Sequence, residues 1–127
     1  MKIYLKKAVS ITMLLLFVIS LFGCFGGGAS EGYKLRKQET KDYYVQNGIT
    51  KDVVNYTSCE YVSIVREDSK TVYFYKASYT TLDRNYIEYF AWIEGDSVTK
   101  DSSEYAYNLA YQSVMNGTAS GKTGRLS

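Results

Sequence analysis

Three stretches in the middle of the chain are rich in β-branched and aromatic residues: Cys59–Glu67, Lys70–Thr80 and Tyr86–Ile93. Turn-forming residues separate them, so they predict three strands of an antiparallel meander. With Asp68-Ser69 as a two-residue loop, Glu67 faces Lys70, Ile64 faces Tyr73 and Val62 faces Tyr75. The second hairpin turns at Leu82-Asp83-Arg84-Asn85, and pairing Ala77 with Ala91 puts Tyr75 opposite Ile93 and Tyr79 opposite Tyr89. One face then carries Val62, Ile64, Tyr73, Tyr75, Ala77, Tyr79, Ile87, Tyr89, Ala91 and Ile93, and is read as the core. The other carries Tyr61, Val65, Val72, Phe74, Phe90 and Trp92, with Lys76, Glu88 and Glu94 among them. A free solvent face should be polar in alternation, and this one is half aromatic. Two readings follow. It is an interaction surface, with Tyr61, Phe74, Phe90 and Trp92 as partner-binding candidates, because exposed apolar patches and interfacial aromatics mark partners. Or it is a second core layer covered by a helix.

Helical periodicity appears on both sides of the meander. After it, Tyr107, Ala110, Tyr111, Val114 and Met115 recur at helical spacing and are read as core packing. Asp101-Ser102-Ser103-Glu104 has the spacing of a capping box, and Asn116-Gly117 is a stop. Before the meander, Glu31–Asn47 reads as a charged amphipathic helix ended by Gly48. The alternative is a hairpin around Asn47-Gly48, joining Tyr43–Gln46 to Ile49–Val54. The Lys/Arg/Glu/Gln-rich start from Lys34 to Lys41 favours helix. The fold class predicted is α+β: N-terminal helix, three- to four-stranded antiparallel meander, C-terminal helix.

The ends of the chain differ in composition. Lys2, Lys6 and Lys7 precede an uncharged run from Ala8 to Phe22, followed by Gly23 and Cys24. This is the layout of a secretory signal peptide, and it is short for a spanning helix. Residues 24–32 are Gly-rich and read as a flexible tether with a root-mean-square reach of about 15 Å. Residues 33–116 form the folded domain, and the polar, Gly-rich residues 117–127 read as a disordered tail.

Leu21-Phe22-Gly23-Cys24 resembles the bacterial lipobox, in which the cysteine thiol receives diacylglycerol and the peptide is cut just before it. The resemblance covers the signal region, residues 1–23, and implies that Cys24 becomes the lipidated first residue of a bacterial lipoprotein. The protein would then be lipid-anchored to the cell membrane, facing the extracellular or periplasmic side, held there by palmitate-type acyl chains. Two acyl chains suffice for stable anchoring. Removing residues 1–23 takes away three lysines and no acids, so the 12 basic and 13 acidic side chains that remain give a net charge of −1. Surface charge therefore does not hold it to anionic lipid. The order helix, sheet, helix is similar to cystatin-like and NTF2-like lipoproteins, at the level of fold analogy alone.

Composition narrows the chemistry. The 127 residues include no histidine, no proline, two cysteines and 14 tyrosines, with a net charge of +2 before processing. Zinc sites of the finger or H-E-x-x-H kind and imidazole-based triads are excluded. The near-neutral balance argues against a nucleic-acid partner. Asn116–Thr123 mimics a phosphate loop, but its first glycine is out of register and no helix follows. Asp83, Glu88, Glu94 and Asp96 lie among turn residues, as solvated charges do, rather than as a carboxylate pair across a cleft. Cys59, the remaining thiol in an exported setting, either pairs between chains or is buried at the start of its strand; burial is the reading adopted. The sequence thus predicts no cofactor, no metal and no catalysis. It predicts a non-catalytic binding or envelope-assembly module that meets an envelope protein. The alternative is a small-ligand carrier with a pocket between helix and sheet.

Overall fold

The computed structural model describes residues 28–49, 53–82 and 84–127. Helix α1 spans 28–46. Strands β1 (Val54–Val65), β2 (Thr71–Thr81), β3 (Arg84–Ile93) and the short β4 (Lys100–Asp101) follow. Helix α2 (Glu104–Met115) and strand β5 (Gly121–Leu126) complete the order. The five strands form one antiparallel sheet in the order β4-β3-β2-β1-β5. The fold is α+β, with α1 on one face of the sheet and α2 on the other.

Local chemistry dictates where α1 stops and where α2 starts. At the end of α1 the Gly48 amide donates to the Val45 carbonyl at 3.0 Å and the Ile49 amide to Tyr44 at 2.8 Å. Gly48 takes φ +85°, a conformation glycine adopts without a Cβ penalty. Asn47-Gly48 is thus a helix stop, not a hairpin turn. The cap of α2 is Ser103, whose side chain accepts from the Ala106 amide at 3.0 Å. Asp101 does not act as the capping-box residue; it lies in β4.

Both hairpins close in registers other than those expected. At the first, Val65 pairs with Thr71 and the Arg66 amide donates to the Lys70 carbonyl at 2.8 Å. That leaves Glu67-Asp68-Ser69 as a three-residue loop. The Asp68 carboxylate accepts from the Lys70 amide at 3.1 Å, and Ser69 takes φ +70°. One left-handed residue at the third position suits a three-residue loop, whereas a two-residue type I′ turn needs two. At the second hairpin Thr81 pairs with Arg84, which moves the partner of Ala77 by three residues, from Ala91 to Glu88, and leaves a two-residue connection. Asp83 lies outside the described residues. Both shifts are odd in number, so each exchanges the faces of the neighbouring strand.

The expected core face therefore mixes two real ones. Beneath α1 lie Cys59 and Tyr61 from β1, Tyr73, Tyr75 and Ala77 from β2, and Phe90 and Trp92 from β3. Beneath α2 lie Val62, Ile64, Phe74 and Tyr89, against Tyr107, Ala110 and Val114. Ala77 and Ala91 do not meet; Ala77 lies opposite Cys59 and Glu88. From the expected stripe on α2, Tyr107 and Ala110 are buried while Tyr111 and Met115 are exposed.

Two glycine-rich segments read as tether and tail are structural. Residues 28–32 belong to α1. A Cβ on Gly28 would come within 2.3 Å of the Tyr73 hydroxyl, and one on Gly32 within 2.3 Å of the Tyr75 hydroxyl and 2.7 Å of the Trp92 ring. The two glycines, four residues apart, form a notch that lets α1 settle onto the aromatic rings. The Tyr75 hydroxyl closes it by donating to the Ala29 carbonyl at 2.7 Å. At the other end, β5 pairs with β1 from Cys59–Leu126 to Ile64–Gly121. The Tyr61 ring lies where a Cβ on Gly124 would be, and the Ser63 carbonyl where one on Gly121 would be. Arg125 adds an ion pair to Glu60 at 2.5 Å. The phosphate-loop-like residues 121–123 are thus part of an edge strand.

Candidate functional site

The second half of α1 meets the sheet through polar side chains. Arg36 is central. Its Nε and Nη2 donate to Glu88 Oε1 at 3.3 and 2.9 Å, Nη2 also to Asp101 Oδ1 at 2.7 Å, and Nη1 to Thr99 Oγ1 at 3.1 Å. The guanidinium lies 5.1 Å from the centre of the Phe90 ring. Glu88 accepts a third hydrogen bond, from the Tyr56 hydroxyl, through its other oxygen. Tyr56 in turn shares a hydrogen bond with Thr40 at 2.8 Å. Glu39 accepts from both the amide and the hydroxyl of Thr99. One network thus joins α1, β1, β3, β4 and the segment before β4.

Local structure places each member. A bulge in β1 between Tyr56 and Ser58 turns Tyr56 onto the α1 face, beside Glu88. Tyr79, opposite Tyr56, stacks on it at 4.8 Å and on Tyr86 at 5.3 Å. Burial disfavours charge on Arg36, but its bonds to Glu88 and Asp101 outweigh that and hold its pKa above the ordinary value. Burial, and then the Glu88 carboxylate, push the Tyr56 pKa up. Cys59 is fully buried, and burial with the nearby Glu88 and Glu60 charges pushes its thiol up to about 12. It is a packed thiol, not a nucleophile at neutral pH.

The space between α1 and the sheet is filled by Tyr75, Phe90, Trp92 and Cys59. Clefts open along its flanks instead. One, of about 560 Å³, is lined by Glu31, Lys34, Leu35, Gln38, Trp92 and Gly95–Ser97. Another, of about 320 Å³, is lined by Arg36, Glu39, Thr40, Tyr43, Tyr44, Tyr79, Glu88 and Asp101.

The four aromatic partner-binding candidates do not share an exposed face. Phe90 and Trp92 are 0 % and 3 % exposed beneath α1. Tyr61 is half-buried on that face against Gly124. Phe74 is half-buried on the opposite face, against α2. The helix-covered reading describes Phe90 and Trp92. Cys24 lies outside the described residues. Sequence reasoning missed Arg36, Tyr56 and Asp101, and took Glu88 for a solvated charge. The signal that finds Glu88 is its place in β3, two residues before the buried Phe90 and so on the same face.

Among the described residues, no group of three or more Cys, Asp or Glu side chains is arranged to hold a metal ion, and no helix is long and apolar enough to cross a membrane. No protein-family model, curated protein or solved structure matches the chain.

Proposed function

We propose that the chain is a bacterial surface lipoprotein, anchored through lipid on Cys24, whose α+β domain is a non-catalytic binding or envelope-assembly module. The observation that carries this reading is the uncharged run Ala8–Phe22, preceded by three lysines and ending in Leu21-Phe22-Gly23-Cys24. The start of α1 adds a geometric consequence. The helix has begun by residue 28, so at most three residues lie between Cys24 and it, rather than the eight of the expected tether. Three residues span at most about 10 Å. An acylated Cys24 would hold the domain close to the headgroups, with the start of α1 nearest the membrane. Residues 28–32 of α1 pack near Tyr73 and Trp92, while Thr40 reaches Tyr56 at the opposite end of the sheet. That far end exposes Tyr43, Val45, Leu82, Tyr86 and Ile87, and would face outward.

The filled helix–sheet interface does not favour a central carrier pocket. A carrier reading rests instead on the flanking clefts. The anchor is tested by growing cells with labelled palmitate and comparing the wild type with Cys24→Ala. Label on the wild type alone, with a mature mass starting at acylated Cys24, is the result expected. An unacylated chain, or one intact from Met1, overturns the anchor.

A further inference from the structure

We propose that the cleft of about 320 Å³ beside the C-terminal half of α1 binds a small organic cation, an alkylammonium group. This deepens the binding-module reading and rests on it. The first argument is charge. Glu39, Glu88 and Asp101 line the cleft with three carboxylates against the single guanidinium of Arg36, a net charge of −2. Arg36 is committed to Glu88, Asp101 and Thr99 and lies over Phe90, so it offers an anion little. The Asp101 side chain is 88 % exposed and keeps carboxylate surface free for a ligand.

The second argument is the aromatic lining. Tyr43 and Tyr44 are neighbours in sequence, with ring centres 5.5 Å apart and planes at 82°. They form a right-angled corner; Tyr79 also lines the cleft, with its two ring faces taken by Tyr56 at 4.8 Å and Tyr86 at 5.3 Å. Faces of aromatic rings attract cations, and aromatic cages with nearby carboxylates recognise alkylated ammonium groups. Tyr43 is 61 % exposed although it is a large aromatic on a helix. A volume near 300 Å³ lies at the lower end of ligand pockets and suits a compact headgroup rather than a long chain.

The test is a ligand-observed NMR titration of the full chain in nonionic micelles at constant ionic strength. The probes are tetramethylammonium and 3,3-dimethyl-1-butanol, a neutral alcohol whose tert-butyl group has the shape of the trimethylammonium head without its charge. Saturable binding of tetramethylammonium is expected, with the alcohol at least tenfold weaker. Tyr43→Leu, at an exposed position, should weaken binding at least fivefold, and Tyr43→Phe should keep it within twofold. Trp92 fluorescence checks that both variants fold. No saturation, equal binding of the alcohol, or an unchanged Tyr43→Leu overturns the site. If tetramethylammonium fails to bind a chain that carries acyl label on Cys24, the cleft is refuted and the anchor stands. If it binds a chain without label, the anchor falls and the cleft stands.

Discussion

Replacing Gly32 by alanine adds one methyl group in the first part of α1, and the structure sets the sign of its effect. At an open helical site the change stabilises by about 1 kcal/mol, because alanine forms helix better than glycine. At Gly32 the new Cβ would meet the Tyr75 hydroxyl at 2.3 Å and the Trp92 ring at 2.7 and 2.9 Å. Neither neighbour can yield easily. Tyr75 is fully buried and bonded to the Ala29 carbonyl at 2.7 Å. Trp92 is held by its indole N–H to the Asp96 carbonyl at 2.9 Å and stacks on Tyr73 at 5.6 Å. Overpacking a tight core costs about 1–3 kcal/mol, and losing the Tyr75 hydrogen bond costs about 1 kcal/mol more. The lost bond and the helix-propensity gain offset one another, so a net destabilisation of about 1–3 kcal/mol is expected. The assay is urea unfolding of the full chain in nonionic micelles, followed by the fluorescence of the single tryptophan, Trp92. Lys34→Ala, at an exposed position of the same helix, serves as the control and should stay within about 0.5 kcal/mol of wild type. A Gly32→Ala variant that is more stable than wild type would refute the notch and the seating of α1 on the sheet.

Glu88→Gln leaves Arg36 without its main partner in a seam where the Glu88 side chain is only 17 % exposed; unfolding should show a loss of about 1–3 kcal/mol, discounted from the cost of breaking a fully buried pair. The added loss from Arg36→Met in that background should be smaller than in wild type, and strictly additive losses would show that the pair does not couple. For Cys59, reaction with a disulfide reagent at pH 8 should be slow in the native chain and immediate in denaturant. Because its pKa is raised from 9.0 to about 12, the unfolded chain releases the proton first as pH rises. Below pH 9 the contribution of the thiol to stability is constant, and between pH 9 and 12 it is lost. Tyr33, pushed up to about 12 by burial, adds to the same alkaline loss. Cys59→Ala should flatten the start of that slope in unfolding curves taken across the window, and a slope identical to wild type would contradict the assignment.

The elements whose causes are local were legible in the chain's residue order. The charged run Lys34–Lys41 with its Gly48 stop, the aromatic and β-branched strands, and α2 with Ser103 before it and Asn116-Gly117 after it all depend on neighbours a few residues away. The α+β class follows from their order. Tertiary structure decided which faces of the strands meet. Strand alternation identifies a register when one side of the sheet is wet, and here α1 covers one side and α2 the other. Both parities of β2 are therefore apolar, and the hairpin loops had to break the tie. The glycines carry the same lesson. Gly28, Gly32, Gly121 and Gly124 have a tether's composition, and only the rings and carbonyls that close over them make them points of contact. Glu88 became the partner of Arg36 for a similar reason: the two are 52 residues apart, and only the packing of α1 across β3 brings their charges within reach.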